Sequence, residues 1–90
     1  MKVIWKAVLV KSEDSNTARA HMDINAKVLC AQMQNGQRTV WFESEAAPLN
    51  TADREFYILP TGMGEVPEDG RYIGTVQDGG GYVWHIYEKV

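Results

Sequence analysis

Apolar and polar residues alternate with period two along most of this chain. Within residues 2–10, Val3, Trp5, Ala7 and Leu9 share one face, and Lys6 breaks the other. That pattern predicts an edge or near-edge strand. KSEDSN (11–16) is a polar turn. In TARAHMDI (17–24), Ala18, Ala20, Met22 and Ile24 alternate with Thr17, Arg19, His21 and Asp23, which predicts a second strand with one wet face.

The strongest local signal is Asn35-Gly36, set between two apolar runs. Both central residues of a type I′ turn need positive φ, and Asn-Gly meets that need at least cost. The turn fixes a register: Gln34 opposite Gln37, Met33 opposite Arg38, Ala31 opposite Val40, Cys30 opposite Trp41 and Leu29 opposite Phe42. Leu29, Ala31, Val40 and Phe42 then form a core face, with Cys30 and Trp41 on the other.

Residues 44–53 (SEAAPLNTAD) lack strand character, and Pro48 limits them to a helical turn at most. REFYIL (54–59) predicts a fifth strand, with Phe56 and Ile58 on one side and Tyr57 and Leu59 on the other. RYIGTVQ and YVWHIYE predict a last hairpin across DGGG. Tyr82, Trp84 and Ile86 share one face of its second strand, and Val83, His85 and Tyr87 the other. A strand apolar or aromatic on both faces is either covered twice or meets a partner chain. The sum is an all-β fold of about seven short, mostly antiparallel strands, in a small sandwich or partly open barrel.

Ninety residues bound this to a single domain, 1–90. Apolar residues are 44% and charged residues 23%, as in folded globular chains. A net charge of −3 argues against a protein that coats nucleic acid, which normally carries a basic patch. Cys30 is the sole cysteine, so no internal disulfide forms, which fits a reducing cytoplasm. The apolar run near the N-terminus is short and broken by Lys6, so neither a signal peptide nor a membrane span is expected.

The segments KVIWKAVL, AKVLCAQMQNG, VWF, FYILPTGMG, RYIGTVQ and GGYVWHIYE carry a resemblance along nearly the whole chain. They resemble a family of small uncharacterised proteins found mostly in bacteriophages and prophages. Its most specific piece is Tyr72-Ile73-Gly74-Thr75-Val76 followed by Val83-Trp84-His85-Ile86. In that family the loop after the fifth strand usually reads Gly-Thr-Gly-His. Here it reads Pro60-Thr61-Gly62-Met63, so no role for a loop histidine carries over. The resemblance implies a compact β fold, no established activity, and an accessory role such as counter-defence in the cytoplasm of a bacterial host.

No catalytic constellation stands out. The two histidines and one cysteine lack metal-ligand spacing. Cys30 lies mid-strand with no helix N-terminus to activate it. The carboxylates Glu43, Glu45, Glu65, Glu68 and Asp69 sit in loops or at strand ends. The chain therefore reads as a non-enzymatic binding protein with no cofactor. Thr61-Gly62-Met63-Gly64 can curl its amides into an anion nest, while Pro67-Glu68-Asp69-Gly70 reads as a type I turn. Arg54, Tyr57, Arg71 and Tyr72 flank that loop and supply stacking surface and positive charge. With Thr61, Gly62 and Gly64 they form the candidate ligand site, and the expected ligand is an anionic nucleotide signal of host immunity. Two readings compete with it: an inhibitor presenting its acidic rim to a basic host defence protein, and a small enzyme with an unrecognised site. The two-sided last strand predicts a homo-oligomer.

Overall fold

The Asn35-Gly36 turn takes the backbone that its sequence requires. In the computed structural model, which describes residues 1–90, φ is 52° at Asn35 and 75° at Gly36. Strands β4 (Lys27–Gln34) and β5 (Gln37–Glu45) leave it antiparallel, and four of the expected pairs form, from Gln34–Gln37 to Cys30–Trp41. The fifth does not. A bulge between Val28 and Cys30 sets Val28, not Leu29, opposite Phe42. One extra residue reverses the alternation beyond it. Val28 is buried in consequence, and Leu29 is 40% exposed. Without the bulge Val28 would face Glu43. With it Lys27 takes that place, so opposite charges meet on the solvent side and two apolar groups in the core.

The first predicted strand divides. β1 (Lys2–Val8) pairs with β5, the chain crosses to the other layer at Leu9, and β2 (Val10–Lys11) pairs there with β3 (Thr17–Asp23). Leu9 is buried at this corner, and its amide donates to the Arg38 carbonyl at 2.8 Å. Hence there are eight strands rather than seven. Residues 44–53 hold no helical turn. β5 runs to Glu45, and β6 (Thr51–Pro60) begins three residues before the predicted Arg54, because Thr51–Asp53 pair along His21–Asp23 of β3. The Ile24 amide extends that contact to the Asn50 carbonyl.

β7 (Gly70–Gln77) and β8 (Val83–Lys89) complete two packed antiparallel sheets, ordered β1-β5-β4 and β2-β3-β6-β8-β7. Val28, Ala31, Val40 and Phe42 meet Ala18, Ala20, Met22, Phe56, Ile58, Val76 and Ile86 in one core. Phe56, Ile58, Val40 and Ile86 lose all solvent contact. Each such side chain contributes about 1.5–3 kcal/mol of transfer free energy. The layers come closest where β4 crosses β7. A Cβ on Gly74 would stand 3.2 Å from the Ala31 carbonyl oxygen. On the opposite side, between β1 and β3, a groove of about 250 Å³ lined by Trp5, His21 and Phe42 stays open. The architecture is a small sandwich, partly open along that side.

β8 lies between β6 and β7 and is antiparallel to both, so β6 and β7 are parallel. Parallel strands need a crossover connection. Residues 61–69 are that crossover. They run as a strap over the outer face of β6 and β8, where Leu59 is only 8% exposed beneath them. The two apolar faces of β8 are thus partly covered within one chain, by the other sheet and by the strap, while Tyr82 beside it stays 66% exposed.

Candidate functional site

The strap and the strand face beneath it carry five of the seven candidate residues: Tyr57, Thr61, Gly62, Gly64 and Tyr72. Thr61 starts it, its amide donating to the Val83 carbonyl at 3.2 Å. Gly62 and Gly64 follow with φ of 82° and 81°, left-handed values that glycine takes without a Cβ penalty. Those two reversals fold Met63 outward, leaving it 68% exposed, and Val66 is 64% exposed. Tyr57 ties down the far end: its hydroxyl donates to Asp69 Oδ1 at 2.8 Å. That bond to the carboxylate raises the Tyr57 pKa, aided by burial and by the Asp69 charge. Two hollows lie along the strap. One, about 290 Å³, is lined by Leu59, Met63, Val66, His85 and Tyr87, and the other, about 370 Å³, by Pro60, Thr61, Tyr82 and Val83.

A polar chain runs across the sheet beside them. Thr61 Oγ1 lies 2.8 Å from His85 Nε2, and His85 Nδ1 lies 3.1 Å from Thr75 Oγ1. The Tyr72 hydroxyl reaches the same Thr75 oxygen at 2.6 Å. A neutral imidazole carries one donor and one acceptor, so one threonine accepts from His85 and the other donates to it. The Tyr72 ring meets Tyr87 edge-on at 5.5 Å. Sequence alone misses His85 and Tyr87, because only the crossover brings the strap over them.

The candidate residues separate into two groups. Tyr57, Thr61, Gly62, Gly64 and Tyr72 gather on this outer face. Arg54 and Arg71 do not join the loop glycines. Arg54 shares the inward face of β6 with Phe56 and Ile58, and it lies near the strand's start, the end remote from Thr61. Its guanidinium donates to the Ala26 carbonyl at 2.6 Å, the Asp23 carbonyl at 3.3 Å and Glu88 Oε1 at 3.1 Å. Arg71 donates to the Val28 carbonyl at 3.3 Å and to Glu88 Oε2 at 3.4 Å. Both cations converge on one buried carboxylate at the end of the sandwich. The signal for this was present: Arg54 and Glu88 each occupy an inward position of their strand, in phase with Phe56 and with Ile86. A charge in phase with a core face is buried with a partner.

Of the exposed acids near the strap, Glu13, Asp14, Glu65 and Glu68 form no ion pair. The turn carrying Glu13 and Asp14 reaches the strap through Asn16, whose side chain would touch a Cβ on Gly64. His21 is held by Asp53 at 3.0 Å and Thr51 at 2.9 Å on β3, with β6 between it and the His85 strand. No group of three or more histidine, cysteine or acidic side chains converges as a metal site would require. No helix is long and apolar enough to cross a membrane.

Fold and surface together define a small all-β protein whose outer sheet face is roofed by a crossover strap. The whole chain, residues 1–90, matches the family described as a domain of unknown function (DUF7352), and the protein belongs to that family. No curated protein and no solved structure matches the chain.

Proposed function

We propose that the protein is a non-enzymatic binding module of the accessory kind that bacteriophages carry, and that its strap grips a basic protein of the host's defence machinery. The observation that carries this reading is the strap's outward face. Met63 and Val66 stand exposed among Glu65 and Glu68, with Glu13 and Asp14 on the adjoining turn. Apolar anchors in an acidic rim suit a surface whose own apolar hollow is ringed by lysine and arginine. The rim steers a basic partner and sets register, and burial of the two apolar side chains supplies affinity.

A second reading, sequestration of an anionic nucleotide immune signal, is favoured by the Gly62 and Gly64 reversals beside Tyr57, Tyr72 and Tyr87. It requires Arg71, 49% exposed at its side chain, to leave Glu88 and turn outward. The acidic strap opposes that ligand.

Affinity capture from a bacterial lysate tests the first reading. The wild type is compared with Glu65→Gln/Glu68→Gln and with Met63→Ser/Val66→Ser. A basic protein retained by the wild type and lost by both variants is expected. An identical captured set for all three overturns the reading.

A further inference from the structure

At the sheet borders β1 stands apart from β2, β4 and β7, and the short β2 leaves only the four-residue stretch Ala20–Asp23 of β3 unpaired on its side. β2 has only two residues, β4 carries the bulge at Val28–Cys30, and β7 carries another between Tyr72 and Gly74. Short or bulged edges resist pairing with other chains. β1 differs: seven residues in unbroken register on β5, with no proline and no bulge. Two flanking bonds fix which of its backbone groups are used. The Ala46 amide donates to the Met1 carbonyl, and the Leu9 amide to the Arg38 carbonyl. Bonding alternates along an antiparallel ladder. Odd residues Val3, Trp5 and Ala7 therefore bond β5, and the amides and carbonyls of Lys2, Ile4, Lys6 and Val8 point away from it. The lysines do not guard this edge, since Lys2 leans back to Glu43 at 3.9 Å and Lys6 to Gln34 across the sheet.

We propose that the free edge of β1 pairs with the same edge of a second copy of this chain, antiparallel about a twofold axis at Trp5. Self-complementarity selects this occupant and this register. Outward groups must meet outward groups, so the axis falls on a residue, and only an axis from Ile4 to Lys6 joins three or more of the four outward residues. An axis at Ile4 sets Lys2 opposite Lys6 of the other copy, and one at Lys6 sets the two Lys6 side chains opposite each other. Like charges directly opposed are destabilising. An axis at Trp5 pairs Ile4 with Lys6 and Lys2 with Val8, and no lysine faces a lysine. It also sets the two Trp5 rings, each 51% exposed in one chain, face to face beside the open β1–β3 groove. The two three-stranded sheets become one continuous six-stranded sheet, and every outward amide and carbonyl of β1 finds a partner.

Sedimentation equilibrium at tens of micromolar tests the proposal. The wild type is expected at twice the 10.1 kDa of one chain. Ile4→Pro removes an amide that β5 does not use, and proline is tolerated at such a position. That variant is expected to sediment as a monomer with an unchanged circular dichroism spectrum. A second measurement is independent of whether the proline variant folds. In a Cys30→Ser background, Trp5→Cys sets two thiols in a non-hydrogen-bonded pair about 4.5 Å apart at Cα, within disulfide range. Those chains are expected to cross-link under mild oxidation, whereas a Val10→Cys control in the same background is not. A monomeric wild type, a folded Ile4→Pro dimer, or equal cross-linking at both positions overturns the proposal.

Discussion

Arg54 donates to Glu88 across the interior end of the five-stranded sheet, N to O 3.1 Å, and Arg71 takes the second oxygen of the same carboxylate. Glu88 keeps 8% of its side chain exposed and Arg54 20%. Removing the acid leaves a mostly buried cation with only the Ala26 and Asp23 carbonyls and no paired carboxylate. Glu88→Ala is expected to cost about 2–4 kcal/mol, somewhat below the figure for fully buried pairs because Arg54 retains some water. Urea unfolding checks it. Glu88→Gln keeps acceptor capacity and should cost less than Glu88→Ala. Equal losses would mean that the carboxylate charge alone, not the packing or acceptor capacity of the side chain, holds this end.

Gly36 has open space around the position of an added Cβ, so any penalty there comes from its backbone at φ 75°. Gly36→Val is expected to lower stability by about 1–3 kcal/mol. Gly79 also has free space, without the positive φ, and Gly79→Val serves as the control. Thermal melts of the pair separate backbone strain from a generic effect of adding bulk.

Gly74 is a different case. Its φ is not left-handed, yet a Cβ would press on the Ala31 backbone at 3.2–3.4 Å. Gly74→Ala is expected to push β7 from β4 and cost about 1–3 kcal/mol, the range for overpacking. Hydrogen exchange should quicken first along β4 and β7, and uniform quickening would contradict a local cause.

Asp78 caps the turn before β8. It accepts from Trp84 Nε1 at 3.0 Å and from the Gly80 and Tyr82 amides. The Trp84 bond, with the two amides and nearby Arg38, holds its pKa below the ordinary 3.8 against the opposing effect of burial. A folded pKa below the unfolded value adds stability that is full above about pH 3.8 and is lost as pH falls through the folded value. Asp78→Asn is therefore expected to flatten the decline in melting temperature below pH 4. Unchanged acid sensitivity would show that other carboxylates govern it.

Much of the fold was legible because alternation and turn chemistry are local. Ala18, Ala20 and Met22 and the Asn35-Gly36 turn needed no distant information. The bulge at Val28 was not legible, since two adjacent apolar residues allow either to face inward and only the Lys27–Glu43 alternative decides. The division of the first strand at Leu9 was hidden because alternation continues through the corner. The candidate site was half legible. Arg54 and Arg71 were placed at the loop by proximity in sequence, whereas Arg54 lies at the start of β6, remote from Thr61, and the crossover to a parallel β7 carries Arg71 to that same far end and brings His85 and Tyr87 under the strap instead.

On the proposed reading, the strap binds through exposed acids and apolar anchors while both arginines stay on Glu88. Calorimetry on the wild type, Glu65→Gln/Glu68→Gln and Arg71→Ala tests it most directly, titrating each with the captured basic protein and with a panel of cyclic dinucleotides and ADP-ribose derivatives. The predicted result is partner binding weakened about two- to thirtyfold by neutralising the two acids, at roughly 0.2–1 kcal/mol each, chiefly through slower association. Arg71→Ala should leave that binding unchanged, and no nucleotide should bind. A nucleotide bound by the wild type and released by Arg71→Ala would contradict the claim and establish the loop as an anion nest.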